Sequence, residues 1–400
     1  MNNETRKETQ VLPKDVRCVG ADDLTLSLFE NQYPVQPMGV SYNSYLILDE
    51  KIAVMDSVDA RAADEWLAKL AHELDGRSPD YLVISHMEPD HSGSILRLAE
   101  KYQEMKLVGN TKTFTMLRQF FGAKAPTDDR LLEVGEGETL PLGAHTLHFM
   151  LAPMVHWPEV MVAYEETEKL LFSADAFGRF GALSRTAGAP WAPQARRYYY
   201  NIVGKYGAQV QALLKKASAL EIKTVCPLHG PLLTGEALGE ALRLYDLWSR
   251  WQSESPDDIL LAHASIHGNT ARAAELLKQK LEAKGARVTL CDLTTTEVSY
   301  AVANAFCCGK LVLACSTYDG GLFPPMEEFL SHLQAKGFRD RSVGLMENGS
   351  WAPAAARLMR AKLEEMKDLR VCGTVVSLRS ALSPASEAQI DALTTELCAK

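Results

Sequence analysis

The chain has 400 residues, 46% of them hydrophobic and 23% charged, with a formal net charge of −9 at pH 7. That length exceeds what a single hydrophobic core ordinarily serves, so two domains are expected. The acidic balance argues against nucleic acid or an anionic membrane surface as a partner, and no apolar run nears the ~20 residues that span a bilayer.

The stretch Met1-Asn2-Asn3-Glu4-Thr5-Arg6-Lys7-Glu8 is polar and of mixed charge. It lacks the apolar centre of a secretory signal, which predicts a cytoplasmic protein. Short apolar runs follow, alternating with polar loops and a few helical stretches. They predict strands at 44–48, 52–56, 81–84, 145–151, 160–164, 170–173 and 224–226, then an amphipathic helix at 236–250. Early strands with few helices between them fit a layered α/β sandwich better than a doubly wound sheet.

The polar, Pro-containing stretch Trp251 to Asp258 predicts a boundary, with domains at 1–252 and 256–400. Beyond it the rhythm becomes regular. Strands are predicted at 259–262, 287–290, 310–315, 342–346 and 373–376, with helices at 270–283, 326–335 and 354–366. Such alternation predicts a flavodoxin-like, doubly wound parallel sheet. The eight cysteines are Cys18, Cys226, Cys291, Cys307, Cys308, Cys315, Cys372 and Cys398, and no two form a C-x-x-C pair. That excludes a zinc ribbon or a rubredoxin-like iron site in this chain, and buried, reduced thiols are the expectation.

The densest chemistry follows the run Tyr81-Leu82-Val83-Ile84. His86, Glu88, Asp90 and His91 lie within six positions. Imidazole and carboxylate together suit Zn, Fe or Mn. Four ligand-type residues in so short a segment exceed the needs of one catalytic ion, which keeps a position open. The alternative is a polar loop capping a helix through Asp90 or Ser92, which leaves both histidines and the glutamate unexplained. Asp175, His229 and His156 recur at the ends of later apolar runs, where α/β folds build sites. His145 and His148 compete with His156, but they lie three apart in a strand pattern and face opposite sides.

H-x-E-x-D-H followed by His156, Asp175 and His229 resembles the metallo-β-lactamase-like domain of flavodiiron proteins. The flavodoxin-like second half makes the match more specific, and it covers the chain from about Leu24 to Leu393. The resemblance implies a metallo-β-lactamase-like αββα sandwich followed by the flavodoxin-like domain. It implies one iron on His86, Glu88 and His156, a second on Asp90, His91 and His229, and Asp175 as the bridge. Zinc hydrolases of that superfamily usually show H-x-H-x-D-H; Glu88 at the second histidine raises the oxygen content, which suits iron. Arg197-Tyr198-Tyr199 matches an R-Y-Y segment of the family and makes Tyr198 a candidate hydrogen-bond donor to a bound ligand.

Between a predicted strand and helix lies Ala264-Ser265-Ile266-His267-Gly268-Asn269-Thr270. Its hydroxyls, glycine and helix N-terminus favour a phosphate, and it resembles the flavodoxin FMN phosphate loop. A plain Ser/Asn/Thr-capped helix start is the alternative. Ser316, Thr317, Tyr318, Asp319, Gly320 and Gly321 follow the third strand of this half; Asn348, Gly349, Ser350 and Trp351 follow the fourth. Both loops stand at carboxyl ends of strands, where doubly wound folds bind cofactors, and Tyr318 or Trp351 is placed to lie against the flavin ring. Many relatives carry Asp at Ala264 and an aromatic at His267.

The implied activity is reduction of O2 to water, of NO to N2O, or of both, at two non-haem irons with electrons through FMN. The donor would be a separate rubredoxin or a reduced deazaflavin. The implied assembly is a head-to-tail homodimer or a dimer of dimers. A metallo-hydrolase fused to a flavodoxin is the rival enzyme, using metal-bound hydroxide; an electron carrier with a vestigial metal fold is the rival without catalysis.

Overall fold

A computed structural model of the chain describes residues 12–399. The polar stretch Met1 to Glu8 lies outside them. The chain divides into two units. One runs to Tyr199 and takes in Ala208–Asp246; the other comprises Tyr200–Gly207 and the chain from Leu247 onward.

The first unit is built on two six-stranded sheets. In the first sheet, Ala53–Met55, Tyr81–Val83, Lys106–Gly109 and Leu131–Glu133 run parallel, with Tyr45–Ile47 and Val16–Cys18 antiparallel beyond them. In the second, Thr139–Pro141, Thr146–Leu151, Met161–Glu165 and Leu170–Phe172 form an antiparallel meander. Thr224–Cys226 then joins Leu170–Phe172 in parallel. Tyr45, Ile47, Met55, Val83 and Val108 of one sheet share a buried cluster with Leu147, Phe149, Met161, Ala163 and Phe172 of the other. Leu46, Val54, Leu82 and Leu107 alternate to the opposite face and are buried as well, so the first sheet is covered on both sides, as the period of two requires. The amphipathic helix Ala63–Leu74 buries Trp66, Leu70 and Leu74. This is the αββα sandwich of the metallo-β-lactamase-like fold.

The second unit has a sheet of five parallel strands, in the order Val288–Asp292, Ser255–Ala264, Cys308–Tyr318, Arg341–Asn348, Leu369–Leu378, with the short Gly321–Leu322 antiparallel to Cys308–Tyr318. This is the flavodoxin-like order, whose switch point falls beside the first strand. One face packs on Ala273, Leu277 and Leu281 of helix Asn269–Ala283 and on Ile390, Leu393 and Leu397 of helix Pro384–Cys398.

In the second unit, two helices escaped the sequence reading. Val298–Cys307 is apolar nearly all round and shows no face. Pro384–Cys398 carries its start signal, a Ser383/Ser386 capping box, but it blurs into a polar tail. The polar residues 255–258, expected in a linker, begin a strand instead: Ser255 pairs with Cys308. The eight cysteines are not uniformly buried: Cys18 is exposed, and Cys307 and Cys398 are half-buried. Among the described residues no helix is long and apolar enough to cross a membrane.

Candidate metal centre and flavin loops

In the first unit, strand ends deliver the chemistry to one place. His86 lies three residues beyond Val83, Asp175 three beyond Phe172, and His229 three beyond Cys226. Phe172 and Cys226 are partners in parallel strands, so Asp175 and His229 leave the same sheet edge side by side. A single helical turn, Pro89–Ser92, then presents Asp90 and His91. The helix-capping alternative does not hold there: Glu88 occupies the N-cap position and no side chain caps the turn. Gly178 permits the close packing of the Asp175 loop, because a Cβ would lie 3.3 Å from the Tyr198 ring and 3.4 Å from His229 Cβ.

Two groups of ligand atoms result: His86, Glu88, His156 and Asp175, and beside them Asp90, His91 and His229. In the first, His156 Nε2 lies 3.0 Å from Asp175 Oδ2 and 3.2 Å from Glu88 Oε2, and His86 Nε2 lies 3.3 Å from Glu88 Oε2. In the second, His91 Nε2 and His229 Nε2 lie 3.4 and 3.2 Å from Asp90 Oδ2. Asp175 Oδ1 stands 3.1 Å from His91 Nε2. Two ligands about 2.1 Å from one ion, at roughly 90–110°, are about 3.0–3.4 Å apart, so these separations fit shared coordination.

The histidines are ordered from behind. His86 Nδ1 lies 2.8 Å from Glu159 Oε1, which also accepts from the Met87 N–H at 2.8 Å. His229 Nδ1 donates to the Ser41 carbonyl at 2.7 Å. Among the described residues His91 Nδ1 is buried with no hydrogen-bond partner, as are both oxygens of Asp90 and Oδ1 of Asp175. Buried carboxylate oxygens without donors are costly, and cations in this pocket would satisfy them. Without metal, protons take that part. Burial pushes the His91 and His156 imidazoles down, but the surrounding carboxylates outweigh it and carry both up to about 9. Burial likewise raises the Asp175 carboxyl, yet His91, His156 and His86 hold it well below its ordinary range.

Tyr198 closes the pocket. Its ring lies 5.5 Å from that of His229, and its buried hydroxyl has no hydrogen-bond partner among the described residues. Burial, then the charges of Asp175, Asp90 and Glu88, push its phenol well above the usual range, so it stays protonated. His145 and His148 lie elsewhere: His145 pairs with Asp15 and Glu165, and His148 with Glu166.

In the second unit, the loops at the carboxyl ends of the strands meet through hydroxyls. Thr270 Oγ1 and Ser316 Oγ are 2.8 Å apart, and Asn348 Nδ2 donates to Thr270 Oγ1 at 3.3 Å. The Ala354 N–H donates to Thr317 Oγ1 at 3.0 Å. The Thr270 hydroxyl is thus spent inside the loop network. Gly268, with φ +85°, is the N-cap of helix Asn269–Ala283, and its N–H donates to Ser265 Oγ at 3.1 Å. Ser265, Ile266, His267 and Asn269 surround that N-terminus, whose first-turn N–H groups lack helical acceptors. Asp319, at φ 50°, and Gly320 and Gly321 turn the second loop. Tyr318 is 45% exposed and Trp351 87% exposed, the first on this loop and the second on the loop that follows Arg341–Asn348. A fourth loop belongs here: Ser380 Oγ donates to Ser350 Oγ and its N–H to Asn348 Oδ1. It follows the last strand, whose end the sequence reading placed too early.

Residues 40–230 match the family model described as "ODP family beta lactamase". The chain is 28% identical to the rubredoxin-oxygen oxidoreductase of Megalodesulfovibrio gigas, over 87% of each protein. It is 27% identical to the nitric oxide reductase of Moorella thermoacetica, over 87% of this chain and 88% of that one. The crystal structure of the flavodiiron protein from Giardia intestinalis superposes with a TM-score of 0.88 at 26% identity, over 96% of this chain and 95% of that one. The chain belongs to the flavodiiron protein family. Within that family's fold, Glu159 and the Ser41 carbonyl are parts of the site that the sequence reading missed. Glu159 stands three residues after His156, an isolated carboxylate just before a buried strand. That was a usable signal, whereas nothing in the sequence marks a carbonyl.

Proposed function

We propose that this chain reduces O2, NO or both at a di-iron centre, taking electrons from FMN bound in its flavodoxin-like half. The observation that carries the reading is Asp175, whose two carboxylate oxygens face two separate ligand groups. One ion is assigned to His86, Glu88 and His156, the other to Asp90, His91 and His229, with Asp175 between them. The carboxylate-rich donor set suits iron. When bound, the irons supply gas binding and electron transfer, and the flavin supplies reducing equivalents.

Both reductions consume protons as well as electrons. Tyr198, buried and kept protonated, is assigned as a hydrogen-bond donor to the bound gas. The Gly268 loop and the first-turn N–H groups of Asn269–Ala283 are assigned to the FMN phosphate, with Ser316 to Gly321 and Asn348 to Trp351 at the ring. A separate rubredoxin or reduced deazaflavin is the proposed donor, a head-to-tail homodimer the proposed assembly, and the cytoplasm the proposed location. The hydrolase alternative is disfavoured by Glu88 and by relatives named for oxygen and nitric oxide reduction.

The deciding experiment combines metal and flavin analysis with anaerobic turnover of chemically reduced protein on each gas. Two irons and one flavin per chain, with consumption of at least one gas, are expected. Zinc with esterase activity would replace this reading by the hydrolase.

A further inference from the structure

The two ligand groups are not backed equally. His86 Nδ1 meets a carboxylate, Glu159 Oε1, at 2.8 Å, while Glu159 itself is fixed by the Met87 N–H and by its carbonyl, which accepts from Asn110 Nδ2 at 2.6 Å. Asn110 is fixed in turn, because its Oδ1 caps helix Thr111–Phe121 through the Lys112 and Thr113 N–H groups. His86 is therefore locked in rotamer and tautomer by a rigid chain ending in a helix. In the other group, among the described residues, His229 has only the neutral Ser41 carbonyl behind it, and His91 Nδ1 has no hydrogen-bond partner. The nearby carboxylate of Asp56 does not restore the balance: it makes no hydrogen bond to His91 Nδ1, and its Oδ1 accepts from the Ser85 N–H.

We propose that Glu159 is a positioning residue that makes the His86–Glu88–His156 position the tighter of the two, so that the chain loads and loses its two ions in a fixed order. A carboxylate behind a ligating imidazole raises its basicity and adds a negative charge near the ion; loss of such a partner typically costs about 10–100-fold in metal affinity. The unsupported His91 ring gains neither benefit. The inference rests on the two-iron reading above.

The test follows iron release from the full-length, iron- and FMN-loaded protein into an excess of Fe(II) chelator under anaerobic conditions. Wild type should release iron in two phases of equal amplitude. Glu159→Gln keeps the shape and an acceptor for Nδ1–H but removes the charge. It should speed the slow phase by roughly 10–100-fold, leave the fast phase unchanged and leave flavin content intact. A single phase in wild type, or acceleration of the fast phase alone, overturns the proposal. If the variant does not fold, wild type supplied with one equivalent of 57Fe(II) per chain decides. One dominant Mössbauer doublet supports an ordered pair, and two equal doublets overturn it. Wild type holding fewer than two ions at saturation would instead defeat the two-iron reading.

Discussion

Asp175 turns Oδ2 toward His156 Nε2 at 3.0 Å and Oδ1 toward His91 Nε2 at 3.1 Å. One fully buried carboxylate thus faces both ligand groups. Asp175→Asn keeps the volume but removes the charge shared by both positions. Iron content should fall below one per chain and gas turnover by about a hundredfold or more, taking the loss of even an indirect partner as the lower bound. Flavin content should not change, since Asp175 belongs to the first unit. Elemental analysis with a visible spectrum checks this; a variant holding two irons would remove Asp175 from the bridging position.

Tyr198 should show opposite effects on stability and activity. Its buried hydroxyl has no partner among the described residues, and an unsatisfied buried hydroxyl costs about 1–3 kcal/mol. Tyr198→Phe should therefore leave the metal-free protein as stable as wild type, or more so by about 1 kcal/mol. Turnover should nonetheless drop by about tenfold, equivalent to roughly 1.4 kcal/mol of lost transition-state stabilisation. Denaturant melts and gas-electrode rates provide the pair of readouts. Unchanged turnover would make Tyr198 a packing residue.

The ligand cluster was legible in the sequence because the residues that need no long-range information were the informative ones. His86 to His91 are contiguous, and Asp175 and His229 each follow an apolar strand. What was not legible depends on pairing between distant segments. The Ser41 carbonyl reaches His229 across 188 positions of sequence, and a backbone acceptor has no residue type to betray it. The fold was readable where the period was clean. Val298–Cys307 failed because helical periodicity needs a polar face for contrast. The strand Ser255–Ala264 was shortened because its first residues, Ser255 to Asp258, are partly exposed and polar.

The position of the cut matters for the second unit, which we propose to be an independent domain. Arg341 is buried and donates to the Trp251 carbonyl at 2.9 Å, and the Arg339 guanidinium lies 3.9 Å from the Trp251 ring centroid. A fragment starting at Leu247 retains both contacts, whereas one starting at Glu254 loses them. The shorter fragment should be less stable by about 1.5 kcal/mol, the low end for one lost hydrogen bond from a charged group, because Arg341 Nη1 keeps the Arg339 and Asp340 carbonyls as acceptors. Urea midpoints of the two fragments give the answer, and equal midpoints would contradict the contribution assigned to Trp251.

His145 supplies a pH dependence away from the metals. It is buried 3.1 Å from Glu165 Oε1 and 2.8 Å from Asp15 Oδ2, and its backbone N–H donates to Asp49. The Glu165 carboxylate beside it raises its imidazole to about 9 against the opposing effect of burial, with Asp15 adding to the rise. Because the folded value is raised, the stabilisation is complete below the unfolded value near 6.5 and is lost as pH rises through 9. Glu165 is shifted down, so its share is present above its unfolded value of about 4.5 and lost on acidification. A tenfold gain in proton affinity is worth about 1.36 kcal/mol; after discounting for the half-exposed Asp15, about 1–2 kcal/mol should disappear between pH 6.5 and 9. His145→Gln should flatten that slope in denaturant melts, and a parallel profile would refute the assignment.

Gly268 separates the flavin from the irons. It sits at φ +85° with open space around the position a Cβ would take, so a substitution meets backbone strain but no clash. Gly268→Ala isolates the strain, on the order of 1–2 kcal/mol for a left-handed residue. Gly268→Asp adds a negative charge beside the proposed phosphate position. At an effective dielectric of about 20, two unit charges some 4 Å apart repel by about 4 kcal/mol, which is roughly a thousandfold in affinity. The Asp variant should therefore lose FMN while the Ala variant binds it within about tenfold of wild type, and both should keep two irons. Turnover supported by a protein donor should vanish with the flavin, while chemically reduced iron should still react once with O2 or NO. Flavin fluorescence titration measures the affinities directly. An Asp variant that retains FMN would move the phosphate away from this helix N-terminus, and joint loss of iron and flavin would break the assignment of the two cofactors to separate units.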